Sequence, residues 1–151
     1  GLASLFWSVS PWRSGPDFVL MAGAGALLFA SHPAKLAATL GVLRGFLLGT
    51  GLGLFVRFAL LTPGGGFMTE ALILLPFLLL GTLGVADVRS QGPATGYNLA
   101  FILSADLSNR TDFDLGAALN TDFAMIVGVL FSVAAFTGLV PIREMLRRRP
   151  A

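Results

Sequence analysis

Apolar runs broken by short polar connectors recur along this chain from Asp17 to Val140. A helix needs about 20 residues to cross about 30 Å of hydrocarbon. Stretches of that scale, bounded by charge, proline or glycine clusters, predict helices over Asp17 to Ser31, Ala34 to Leu61, Phe67 to Ala86, Pro93 to Ala105 and Leu115 to Val140. Gly1 to Ser10 reads as the remnant of a sixth. The fourth run reaches only about 20 Å if helical, so it either extends a turn past Asp106 or stops short of a full crossing. The connectors "SPWRSGPD", "SHP", "TPGGG", "DVRSQGP" and "DLSNRTDFD" carry turn chemistry, and such short loops force antiparallel neighbours. Pro33 and Pro93 stand where a missing backbone N–H costs nothing, in the first turn of a helix. The fold class this predicts is all-α: a polytopic transmembrane helical bundle of about five full spans plus an N-terminal partial span. It forms one domain over residues 1–151, with a basic tail at 142–151. No internal repeat and no low-complexity segment interrupts it.

Composition sharpens the class. Hydrophobic residues fill 55% of the chain and charged ones 12%, and the mean hydropathy is +0.82. Such a chain lacks the polar surface to cover a soluble core. Most of its 19 glycines lie inside apolar segments, where membrane helices use them for close backbone contact. Without cysteine there are neither disulfides nor thiolate metal sites. The pI near 9.9 is no nucleic-acid footprint, because the basic residues are spread out except for "RRR" at 147–149. "GLASLFW" opens in apolar sequence with neither Met, charged n-region nor cleavage pattern, as expected of a piece of a longer chain.

Charge also orients the bundle. With the arginine-rich tail in the cytoplasm, alternation puts Lys35 and Arg89 there too, and Arg13 and Arg110 outside. Basic residues in tail and connectors then favour the inside by six to two. Asp17, Asp106, Asp112 and Asp114 fall outside, and Trp7 and Trp12 fall at the outer interface, where an aromatic belt is expected.

Few polar side chains enter the apolar runs. Gly41, Gly45, Gly49 and Gly53 recur every fourth residue, three overlapping GxxxG units that read as a helix-packing seam. Arg57 continues that series, and Arg44 lies midway along the same helix. A central arginine costs roughly 2.5–3.5 kcal/mol on insertion scales, so each should face a partner, water or substrate. Counting outward from Gly64 puts Glu70 at the depth of Arg57, so a structural Arg57–Glu70 pair competes with an anion-binding role for Arg57. Arg44 has no evident partner: it either snorkels toward the cytoplasmic face or binds an anion. Asp122 opens the last run. It is either an interfacial carboxylate eased by the helix N-terminus, Asn120 and Thr121, or a protonatable group facing the bundle. Thr95, Tyr97 and Asn98 add polar groups at the cytoplasmic end of the fourth run. His32 sits in a loop, more consistent with solvent exposure than with metal binding. The acceptor pattern "NRT" at 109–111 is common by chance, and "GTGLG" has no preceding strand to make it a phosphate loop. No catalytic constellation and no cofactor or metal site is present, so no enzyme is expected.

Four stretches in order, "FWSVSPWRSGPDF", "LRGFLLGTGLGLF", "LPFLLLGTLGVADVRSQGPATGYNLAF" and "DFDLGAALNTDFAMIVGVLF", together span nearly the whole chain. In them the sequence resembles the fusaric acid resistance and aromatic acid exporter family of bacterial inner-membrane proteins. The resemblance implies a bundle of about six helices forming one membrane half, most like the second of two. It also implies proton-driven export of aromatic carboxylates, completed by a periplasmic adaptor (membrane fusion) protein. The family's "FLN" stretch falls on Ala118, Leu119 and Asn120, where this chain has Ala in place of an aromatic residue.

The leading expectation is a transporter segment of the inner membrane. In it Arg44 and Arg57, with Tyr97, Asn98 and Asn120, meet a carboxylate substrate, while Asp122 or Glu70 exchanges a proton. Phe46, Phe55 and Phe101 offer aromatic surface to its ring. The partners expected are the lipid bilayer, the other membrane half or a second copy, and the adaptor; no nucleic acid is expected. Two alternatives remain open: an assembly domain docking a partner helix on its glycine seam, and a passive channel.

Overall fold

The computed structural model of the chain describes residues 4, 5, 8, 12–30, 36–61, 66–106 and 113–147, and within them the side chains of all but 28–30, 36–38 and 136–147. Most of Gly1 to Ser10, together with His32, Pro33, Lys35, the "NRT" triplet and the tail arginines' side chains, lies outside this description. The elements are helical: α1 (Gly15–Ala30), α2 (Leu36–Phe55) continued by a π-helical turn (Val56–Leu60), α3 (Phe67–Ala86), α4 (Gln91–Ala105) and α5 (Leu115–Arg147). Among the described residues no strand occurs.

The third expected run matches α3 end to end. Pro76 stands inside α3 without ending it, as membrane helices tolerate. Likewise α5 starts at Leu115 as its pattern predicts but passes through Pro141 to Arg147, so the first part of the basic tail is helical. Pro93 sits in the first turn of α4. At its far end α4 does not extend past Asp106, which adopts a left-handed conformation (φ 49°). Aspartate tolerates that region better than most side chains. Its 15 residues rise about 22 Å, short of the hydrocarbon thickness. Among the described residues three helical stretches have the length and hydropathy of membrane spans, Thr39–Leu60, Phe67–Ala86 and Leu115–Ala135; Gly15–Leu27 is apolar but shorter. The described residues thus form a helical membrane bundle, with three helices of span length and a shorter apolar one.

By internal packing the chain divides into two compact units, Gly1–Leu36 with Phe123–Ala151, and Ala37–Asp122. In the first, α1 meets α5 over small residues. A Cβ on Gly128 would lie 2.6 Å from the Phe18 carbonyl oxygen, and the Ser132 hydroxyl donates to the Ala22 carbonyl at 2.8 Å and to Gly128 at 3.1 Å. Phe18 packs edge-on to Phe131, and Trp12 bridges Phe18 and Phe123.

The second unit is built around α4. Along α2 the glycine series faces it in register: Gly41 and Gly45 meet Pro93, Gly49 meets Tyr97 and Ala100, and Gly53 meets Phe101 and Ser104. Both residue numbers rise together, so α2 and α4 run side by side in the same direction. A side chain at Gly45 would collide with the Pro93 carbonyl. The contact is reciprocal, since a Cβ on Gly96 would collide with the Val42 carbonyl. Lipid tails are as apolar as leucine, so helices in them gain from close backbone contact rather than from burial, and small residues permit it. On its other side α4 runs antiparallel to α3: Gly84 meets Ala94, Gly81 meets Asn98, and the Tyr97 hydroxyl donates to the Phe77 carbonyl at 3.2 Å. Phe101 stacks between Phe77 and Tyr97. Val56, Leu61, Leu74 and Ala105 close this core.

Candidate functional site

The site lies where α2 loses its α-helical register. Five residues, Val56 to Leu60, form a π-helical turn, and the Leu61 amide closes it by donating to the Val56 carbonyl at 2.9 Å. Such turns insert a residue into the helix and re-aim the side chains around it. Here Val56 and Arg57 turn into the unit and are buried. Arg57 forms an ion pair with Asp106 at 3.1 Å, with side-chain exposures of 9% and 29%. Its guanidinium also lies 5.4 Å from the centre of the Phe58 ring, within cation–π range, and Phe58 meets Phe113 edge-on. The helix end that places Asp106 is the left-handed cap of α4.

Asp122 completes the group. It is 4% exposed, two turns into α5. Its Oδ1 accepts a hydrogen bond of 2.9 Å from the Ser104 hydroxyl, itself 1% exposed on α4. Its Oδ2 is sealed from solvent and has no hydrogen-bond partner. Ser104 in turn packs against Gly53, one turn before Arg57 on α2. One guanidinium, two carboxylates and a hydroxyl thus converge inside one unit. Isolated charges in apolar surroundings are expensive, so such a group persists only when its members compensate one another. Chemically it can hold an anion at the guanidinium and a proton at the unpartnered oxygen. Among the described residues no set of three or more metal-binding side chains gathers.

The structure corrects the pairing read from loop geometry: the ion-pair partner of Arg57 is Asp106, not Glu70. Glu70 is half-buried in the first turn of α3. Asp122 is held by Ser104 across the helix interface rather than by Asn120 and Thr121. The N-terminus of α5 is capped by Asp114, whose Oδ1 accepts from the Ala117 amide at 3.1 Å. Asn120 is exposed. Arg44 is exposed on α2, thirteen residues and about 20 Å along the axis from Arg57. Tyr97 is a core residue bonded to Phe77, two turns from Ser104. Asn98 is half-buried against Gly81, its Oδ1 sealed and unpartnered. Phe46 and Phe101 are buried in helix packing and Phe55 points outward. Ser104 escaped the sequence reading, although its spacing from Tyr97, Ala100 and Phe101 puts it on the same buried face of α4.

Comparison with known proteins gives one finding: the model of the fusaric acid resistance protein family matches residues 1–150. No curated protein and no solved structure matches.

Proposed function

We propose, from the premise that this chain belongs to the fusaric acid resistance protein family, a membrane transport family, that it exports aromatic carboxylates across the bacterial inner membrane in exchange for protons. The observation that carries this reading is the guanidinium of Arg57, buried at a π-helical turn and paired with Asp106, at the end of α2 that packs on Ser104 and through it on Asp122. An organic anion enters a low-dielectric bundle only where a cation meets it. Arg57 supplies that cation, Asp106 holds it while no substrate is bound, and the rings of Phe58 and Phe113 beside it suit an aromatic acid. Asp122 carries the proton on the oxygen that nothing else occupies. In this reading the chain works beside a second membrane half or a second copy, hands substrate to a periplasmic adaptor, and keeps its C-terminus in the cytoplasm. The assembly alternative loses its docking surface, since α4 of the same chain fills the glycine seam.

Efflux of labelled benzoate from cells expressing the protein tests this. Arg57→Gln abolishes efflux per unit of protein in the membrane, and Arg57→Lys keeps part of it. Asp122→Asn stops proton-driven efflux but leaves benzoate exchange across proteoliposomes. Efflux at the wild-type rate in Arg57→Gln would remove Arg57 from the route.

A further inference from the structure

We infer that Arg57 alternates between two carboxylates, Asp106 and Asp122, and that a proton on Asp122 decides which of them it holds. Its meaning for transport rests on the reading of Arg57 as the substrate's cation; its geometry does not. Three observations carry it. First, Arg57 holds Asp106 at 3.1 Å, and one turn before it Gly53 packs on Ser104, whose hydroxyl donates to Asp122 at 2.9 Å, so both carboxylates gather at the end of α2 that carries one guanidinium. Second, the two are unequal in what they lose when unpaired. Asp106 terminates α4 with 29% of its side chain exposed and can be compensated by water. Asp122 is 4% exposed and its Oδ2 has no donor. An ionised Asp122 therefore needs a cation more than Asp106 does, whereas a protonated one is neutral and releases it. Third, Arg57 stands on a turn with one residue in excess of the α-helix. Passing that excess along the helix re-aims a side chain by about 100°, which is the movement the switch requires of Arg57.

The charged groups on the elements around Arg57 are few. At the end of α4 there is Asp106; at the start of α5, the capping Asp114 and Asp122; on α3, Glu70 in its first turn. Arg110 and Asp112, in the connector between α4 and α5, lie outside the described residues. Ser104 is the positioning residue. By fixing Oδ1 it leaves Oδ2 as the oxygen that takes either the proton or the guanidinium. In the exporter this gives an order of events. With Asp122 ionised, it holds the guanidinium while a substrate carboxylate takes the place of Asp106. When a proton arrives on Asp122, Arg57 returns to Asp106, which replaces the substrate carboxylate like for like, and the substrate is released in exchange for the proton.

Infrared difference spectroscopy over a pH titration of the full protein in lipid nanodiscs tests the switch. The carboxylic carbonyl band is assigned by its loss in Asp122→Asn, and the guanidinium band by its loss in Arg57→Lys. The expected result is that both change with one midpoint, and that the guanidinium band stays fixed at every pH in Asp122→Asn. Ser104→Ala shifts the common midpoint without splitting it. A guanidinium band that stays still while Asp122 titrates, or that moves equally in Asp122→Asn, overturns the inference. Should Asp122→Asn fail to insert, Asp122→Glu serves: joint movement at a new midpoint supports the switch and separate movement overturns it. The two readings fail separately. Coupled bands with normal efflux in Arg57→Gln sink the transport role alone, and uncoupled bands with efflux lost sink the switch alone.

Discussion

Arg44 and Arg57 share one helix and opposite surroundings. Around Arg44, α2 is regular and its exposed face carries Leu40, Leu47, Leu48 and Gly51, so the guanidinium projects outward among apolar side chains and its long stem can carry the charge toward the membrane surface. At the other end the helix widens into a π turn, and Arg57 is drawn inward against Asp106 and Phe58. The two residues differ less in chemistry than in backbone. What distinguishes a structurally engaged arginine in this chain is the break in helical register that aims it into the unit. Burial alone would have made it a liability; burial with a carboxylate within ion-pairing distance makes it the organising charge of the site.

Substitution separates the two ends by size of effect. Arg57→Ala leaves the carboxylates without their cation and costs about 3 kcal/mol, the lower end for a buried pair because Asp106 is partly exposed. Arg44→Gln changes stability by less than about 0.5 kcal/mol. Thermal unfolding of the purified protein in detergent measures both, and equal losses would erase the contrast. A smaller effect divides the two faces of α2. Gly45→Ala forces a methyl into the Pro93 carbonyl and costs about 2 kcal/mol, whereas a Cβ at Gly51 meets nothing within 4 Å, so Gly51→Ala is neutral or slightly stabilising. A stable Gly45→Ala protein would show that the seam does not hold α4. The smallest loss expected at a buried position is at Ser104→Ala, about 1 kcal/mol for one interhelical hydrogen bond in a membrane. A loss matching that at Arg57 would mean that Ser104, not the guanidinium, anchors Asp122.

Much of the helical plan was legible in the sequence, because a membrane span needs an apolar run of fixed length and polar residues are costly enough to mark its ends. Phe67 to Ala86 is such a case. Other features are set by tertiary contacts that periodicity does not encode. The π turn leaves no mark in "VRFAL". Counting outward from Gly64 paired Arg57 with Glu70 because it assumed a regular helix and the next helix in sequence as the partner. Instead α2 lies along α4, parallel to it, and the partner comes from the left-handed end of that helix. The glycine series was legible as a pattern, but which helix lies against it depends on Pro93, Tyr97, Phe101 and Ser104, four residues whose common face appears only once α4 is read as a helix from Gln91. Asp122 stood out as a carboxylate beside an apolar run, whereas Ser104, a small hydroxyl among small residues, did not.

A double-mutant cycle between Arg57→Gln and Asp106→Asn, read as unfolding free energies in detergent, tests most directly whether the charges at the far end of α2 act as one unit. The predicted result is non-additivity of about 1–3 kcal/mol, the double variant losing less than the sum of the single ones. Additivity to within about 0.5 kcal/mol would mean the two side chains do not depend on each other, and the site built on their pairing would fall with it.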